Sequence, residues 1–212
     1  MNFESNEYLT DTPSARQDAA RLLYQHGFSG VLISIVTSSF LVFAFDSHIM
    51  NIKLTWWYAM TAILLFRFFD LLVWRRNVES TNFDGRKYIR RFIAGTQLTA
   101  VMWSCYAVVV ILNSQMIEMS TTIVAVAAMA GGSATVLAAH QKTAMFYAFI
   151  LLTPASLCLL ISEHYDQRLL GTLGLCFSLV MMVVSRKSAK FTQEAIRLKN
   201  DNFALLNHME EQ

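Results

Sequence analysis

The chain has 212 residues, of which 55% are hydrophobic and 15% charged, with 17 Lys and Arg against 15 Asp and Glu. Soluble domains carry about 25% charged residues, so an ordinary soluble fold is excluded; 8 Gly and 2 Pro exclude collagen-like and low-complexity chains, and 3 Cys exclude a disulfide framework. The net charge of +2 gives no basis for nucleic-acid binding, and what remains is an all-α polytopic membrane protein.

Residues 1–13 are polar, and Thr12-Pro13-Ser14 then marks a helix start with proline in the first turn. The segment Ala15–His26 sets Ala19, Leu22 and Leu23 on one face, away from Arg16, Asp18 and Gln25. It suits either a short amphipathic helix on the membrane surface or a cytoplasmic extension of the first span. Residues 1–27 are therefore assigned to a cytoplasmic N-terminal segment.

A membrane helix needs about 20 mainly apolar residues. Six stretches come near this: Phe28–Phe45, Thr55–Trp74, Phe92–Leu112, Met119–Ala139, Ala144–Ile161 and Arg168–Val184. They predict a six-transmembrane-helix bundle over residues 28–184. The alternation expected of barrel strands is absent. An even number of spans puts both termini on one side. That side receives 14 of the Lys and Arg residues, the other receives Lys53 and Arg168, and Arg67 lies within a span. The asymmetry predicts cytoplasmic termini. Cys105, Cys158 and Cys176 all fall inside spans, where they serve as small apolar residues.

Within span two, Arg67 and Asp70 are three residues apart, on one helix face, and can pair. An intramembrane charge is costly and marks a functional candidate, although a structural pair near the inner boundary is the plainer reading. Trp56, Trp57 and Tyr58 open this span and Trp74 closes it, as interfacial anchors do. In span four, Ala127 with Gly131 and Ala128 with Gly132 form small-xxx-small pairs. They predict a central, closely packed helix, or else a thin wall beside a ligand cavity. His140, in the turn after span four, is either a solvated loop residue or a proton sensor. Pro154 interrupts span five and bends it. In the outer loops, Asp46 and His48 would join Glu163, His164 and Asp166 at a metal only if the fold gathered them. No metal and no cofactor is assigned.

After Val184 the chain turns polar without a Pro or Gly and remains a good helix former. Phe191, Ala195, Leu198, Asn202, Leu205 and Met209 follow the spacing of a coiled-coil seam. Residues 185–212 are thus predicted to form a cytoplasmic coiled-coil signalling helix that continues span six and pairs in a homodimer. Because the seam runs to the last residues, an output domain is expected beyond Gln212. Phosphate-binding loops, zinc-protease helices and nucleophile elbows are absent, so the chain as given is not expected to be an enzyme.

Several short motifs then stand in a telling order: Arg21-Leu22-Leu23-Tyr24 before span one, Trp74-Arg75-Arg76 after span two, Ala128 to Ala134 with Pro154 downstream, and Leu198, Asn202 and Leu205 in the tail. From about Arg16 onward the chain resembles the N-terminal six-span sensory module of proteobacterial signalling proteins, found ahead of histidine kinase or diguanylate cyclase domains. The resemblance implies sensing at the bacterial inner membrane and a dimer that drives a cytoplasmic output. The expected partners are membrane lipids, a second copy and a small signal that is lipophilic or reports the membrane state. Arg67, Asp70, Gly131, Gly132 and His140 are the candidate ligand-site residues. A small transporter or channel subunit, and a dimerising membrane anchor, are the alternative expectations.

Overall fold

The computed structural model describes residues 13–77 and 85–210. They form six helices: α1 (Pro13–Phe43), α2 (Met50–Asn77), α3 (Gly85–Asn113), α4 (Met116–Val136), α5 (Gln141–Leu160) and α6 (Tyr165–Glu210). Each contains a stretch long and apolar enough to cross a membrane. The apolar surface left outside the bundle supports the same conclusion. On α1, Phe28, Leu32, Val36 and Phe40 recur every fourth residue and are each at least half exposed. A soluble monomer rarely tolerates so continuous a stripe, whereas acyl chains cover it without cost. The protein is an all-α, six-span membrane protein. Helices are the natural outcome, because lipid offers no partner to an unpaired backbone N–H or C=O.

The six spans fall where the apolar runs place them, with three differences at the boundaries. First, α1 runs unbroken from Pro13 through Phe43, so residues 13–27 extend span one and do not lie across the surface as a separate helix. No proline follows Pro13 in this stretch, and Gly27 and Gly30 keep negative φ. Residues 1–12 lie outside those described. Second, α4 stops at Val136, three residues before the expected end. There Leu137 N–H donates to Ser133 O at 2.9 Å and His140 N–H to Leu137 O at 3.0 Å, tightening the chain into a turn. Third, α6 begins at Tyr165 and continues for 46 residues. At 1.5 Å per residue it is about 69 Å long, roughly twice the hydrocarbon thickness. The backbone of the expected seam is helical to Glu210. Phe191, Leu198 and Met209 are well exposed, and the side chains of Asn202 and Leu205 lie outside those described.

The expectation that span four is central is corrected. Half of the apolar stretch of α3 and of α5 is buried, against a third for α4 and 17% for α2. The central pair is α3 and α5; α5 packs along α6, and α4 touches α1, α3, α5 and α6. The reason lies in which glycines meet a neighbour. A Cβ on Gly131 or Gly132 would enter open space. A Cβ on Gly171 would come within 2.7 Å of the Leu160 backbone N, and one on Gly174 would overlap the Ser156 hydroxyl. The close backbone approach that small residues permit in lipid is therefore made by α6 against α5. Thr153 and Ser178 hydroxyls, 3.2 Å apart, join the same two helices one residue before Pro154, and α5 runs on through that proline.

Each end of the bundle is tied by polar and aromatic contacts. At the end holding the starts of α1, α3 and α5, here the near end, the Tyr24 hydroxyl donates to Asp70 Oδ2 at 2.6 Å. Asp70 Oδ1 faces Arg91 at 3.8 Å. The Tyr24 ring stacks on Trp74 at 4.9 Å, so that indole is a packing element and not a lipid anchor. At the far end, Trp56 donates to Met102 O at 2.8 Å and lies 4.2 Å from the Tyr106 ring, while Trp57 donates to Ser39 at 3.1 Å. Trp56 and Trp57, half-buried at the start of α2, join that helix to its neighbours, and Tyr58 stays exposed.

Candidate ligand site

A cavity of about 380 Å³ lies between α1 and α4, with Arg67 of α2, Phe92 and Thr96 of α3 and Tyr147 of α5 behind it. Its volume falls in the range of small-molecule sites, about 300–1,000 Å³. It exists because the facing positions are small. Gly27, Ser29, Gly30 and Ser34 on α1 oppose Ala125, Ala128, Gly132 and Ser133 on α4. Ser29, Ile33, Ala128 and Gly132 are exposed at its rim, so the mouth opens sideways between two membrane helices. Of the two readings of the span-four small residues, Gly132 follows the thin wall beside a cavity. Gly131 is exposed beside it and is not part of the lining.

Arg67 is the one cation in the lining. Its stem passes Gly95, where a Cβ would sit 3.2 Å from Arg67 Cγ, so a larger residue there would press on the side chain. The guanidinium donates from Nη1 to Thr99 Oγ1 and from Nη2 to Thr96 Oγ1, each at 3.0 Å. The Thr99 hydroxyl spends its own proton on Gly95 O at 2.8 Å, which leaves a lone pair for the arginine. Arg67 also lies over the Phe92 ring, 5.6 Å from its centre, in cation–π range. A guanidinium has five N–H donors, and only these two have acceptors among the described residues.

The expected Arg67–Asp70 pair is corrected by this geometry: no ion pair joins them among the described residues. The i,i+3 spacing permits pairing, but longer-range partners win. Asp70 turns to Tyr24 and Arg91, and Arg67 turns to α3. Arg67 is left as a cation held by neutral groups. His140 stands outside the cavity lining. It caps α5, its Nδ1 accepting the Thr143 backbone N–H at 3.3 Å with the Thr143 hydroxyl 2.7 Å away. Burial, and then the charge of Lys142, hold its imidazole below the usual histidine range. Asp46, His48, Glu163, His164 and Asp166 form no metal site: among the described residues no three His, Cys, Asp or Glu side chains gather as one requires.

Two features were not apparent in the sequence. Ser34, Thr37, Thr96, Ser133 and Tyr147 supply the remaining polar lining of the cavity. They are neutral residues in apolar runs, and only the i,i+3 placement of Thr96 and Thr99 hints at a common face. At the far end, Lys53 and Glu118 form a buried ion pair of 2.8 Å, with side chains 0% and 4% exposed. Lys53 Nζ directs its hydrogen bond to Phe45 O at 2.8 Å, and it meets Glu118 Oε1 as a charge contact without an aligned hydrogen bond. Glu118 borders a span and reads as a loop residue, which hides it.

Comparison with family models, curated proteins and solved structures finds no match for the chain.

Proposed function

We propose that the protein is a transmembrane sensor module. A small lipophilic signal enters the cavity between α1 and α4 and shifts the bundle between two arrangements, and α6 carries that bias out of the membrane to a cytoplasmic output. The observation that carries this reading is the lateral cavity, because α4 lines it and also packs against α6. A ligand there is one helix removed from a rod of 46 residues. Coupling needs only a different affinity for the two arrangements. The exposed Phe191, Leu198 and Met209 give α6 an apolar stripe, which supports pairing with α6 of a second copy. Cytoplasmic termini, the inner membrane and a histidine kinase or diguanylate cyclase output belong to this proposal through the charge asymmetry and the family resemblance.

The test uses single cysteines in a variant whose Cys105, Cys158 and Cys176 are replaced by alanine. In membranes, Phe191→Cys and Leu198→Cys should crosslink between copies, whereas Gln193→Cys on the opposite face should not. Deleting residues 191–212 should abolish any cellular response. Equal crosslinking at all three positions, or transport of a solute that survives the deletion, would overturn the sensor reading.

A further inference from the structure

Building on that sensor reading, we infer that the cavity takes a single-chain amphiphile with one anionic head, a fatty carboxylate, which slides in from the bilayer between α1 and α4 and seats its carboxylate on Arg67. Three observations meet in this assignment. The mouth opens on the lipid-facing side of the bundle, at Ser29, Ile33, Ala128 and Gly132, so the ligand arrives from the bilayer and must be apolar along most of its length. The apolar lining residues Ile33, Ala125, Ala128, Met129 and Val136 suit an alkyl chain. The same lining holds a cation whose hydrogen-bond partners are neutral hydroxyls. Three N–H groups of Arg67 have no acceptor among the described residues, and Asp70 is held by Tyr24 and Arg91.

A charge kept in a membrane bundle with no ion-pair partner in contact is costly, and a carboxylate is the group whose geometry meets the guanidinium fork in a bidentate contact. Charge balance selects the carboxylate over a phosphate monoester. One guanidinium neutralises one negative charge, whereas a phosphate monoester carries about −1.5 to −2 near neutral pH. The Thr96 hydroxyl and Tyr147 belong to the same lining as Arg67 and bring donors for a carboxylate's remaining lone pairs. The volume of about 380 Å³ fits one chain and not the paired chains of a phospholipid.

The test uses the full chain in nanodiscs with a decanoate that carries a diazirine on its terminal carbon. Photocrosslinks are expected on residues 30–37 of α1 and 125–132 of α4. Unlabelled decanoate should compete about tenfold more strongly than decanol, the margin a charge-assisted hydrogen bond supplies. Arg67→Gln should erase that difference, Arg67→Lys should retain part of it, and Gly132→Leu should remove the crosslinks by filling the mouth. The wild-type competition decides the matter even if Arg67→Gln does not fold. Equal competition by decanol, crosslinks spread evenly over the lipid-facing surface, or a diacyl phospholipid co-purifying in the cavity would each overturn the assignment. If decanol moves α6 and decanoate does not, the ligand class fails and the sensor reading stands. If decanoate binds without any response in α6, the site stands and the sensor reading fails.

Discussion

Removing one partner of the Lys53–Glu118 pair should be far more damaging than removing both. The side chains are 0% and 4% exposed, and the charges meet at 2.8 Å where α1, α2 and α4 come together at the far end. Lys53→Met strands a carboxylate, and Glu118→Leu strands an ammonium whose remaining described contact is Phe45 O. Breaking a buried pair in this way costs about 3–5 kcal/mol, whereas replacing both charges by apolar side chains of similar volume is often neutral. For a chain of this size, 1 kcal/mol moves the melting temperature by about 2–4 °C. Each single variant should therefore lower the apparent melting temperature in detergent by about 6–20 °C, and the double variant should return most of that loss. The assay is a double-mutant cycle with melting followed by intrinsic fluorescence. Additive losses would refute the reasoning, since independent effects mean that the two charges do not compensate each other in the folded bundle.

Three further outcomes follow from the packing and capping contacts. Gly174→Leu should destabilise the bundle by about 1–3 kcal/mol through overlap with Ser156, and adding Ser156→Gly should restore part of the loss in the same melting assay. Tyr24→Phe deletes the hydrogen bond to Asp70 and should cost about 1–3 kcal/mol because the carboxylate is left under-satisfied; Asp70→Asn added to it should cost little more, as a denaturant titration would show. His140 accepts the Thr143 N–H on Nδ1, so the cap requires neutral imidazole. Burial and Lys142 lower its folded-state value, so its stabilisation is fully present above the ordinary histidine range near 6.5 and is lost as pH falls through the lowered value. Histidine NMR shifts should show His140 titrating below the ordinary histidine range, and His140→Ala should cost about 0.5–2 kcal/mol at pH 7 and progressively less in acid.

The spans were legible in the sequence because each is an apolar run interrupted by charge, a signal that depends on composition and not on tertiary contacts. Arg67 was legible for the same reason, being a charge out of place. Its partners were not. Asp70, three residues away, is the local choice, yet its carboxylate goes to Tyr24, 46 residues distant, which no helical period can announce. The small residues show a similar limit. Spacing marks Gly131 and Gly132 in α4 as strongly as any pair, but whether a glycine meets a neighbouring backbone or an open space depends on how its helix is turned. The close approach fell instead to Gly171 and Gly174. Glu118 was missed because the edge of an apolar run is drawn at its charge, and only the fold shows that Lys53 follows it inward. The continuity of α6 was visible in the absence of any helix breaker after Val184, and its length follows directly.

The most direct test of coupling between the α1–α4 cavity and α6 is a distance measurement within one copy. Spin labels at residues 75 and 190 of the cysteine-free variant, at exposed positions on α2 and α6, report by pulsed electron resonance in nanodiscs. Saturating decanoate should displace the distance distribution by at least the 1–2 Å typical of helix shifts, about the change a packed interface undergoes when it switches, and Gly132→Leu should abolish the response. Superimposable distributions with and without decanoate, in a sample where photocrosslinking shows the cavity filled, would contradict coupling between the cavity and α6.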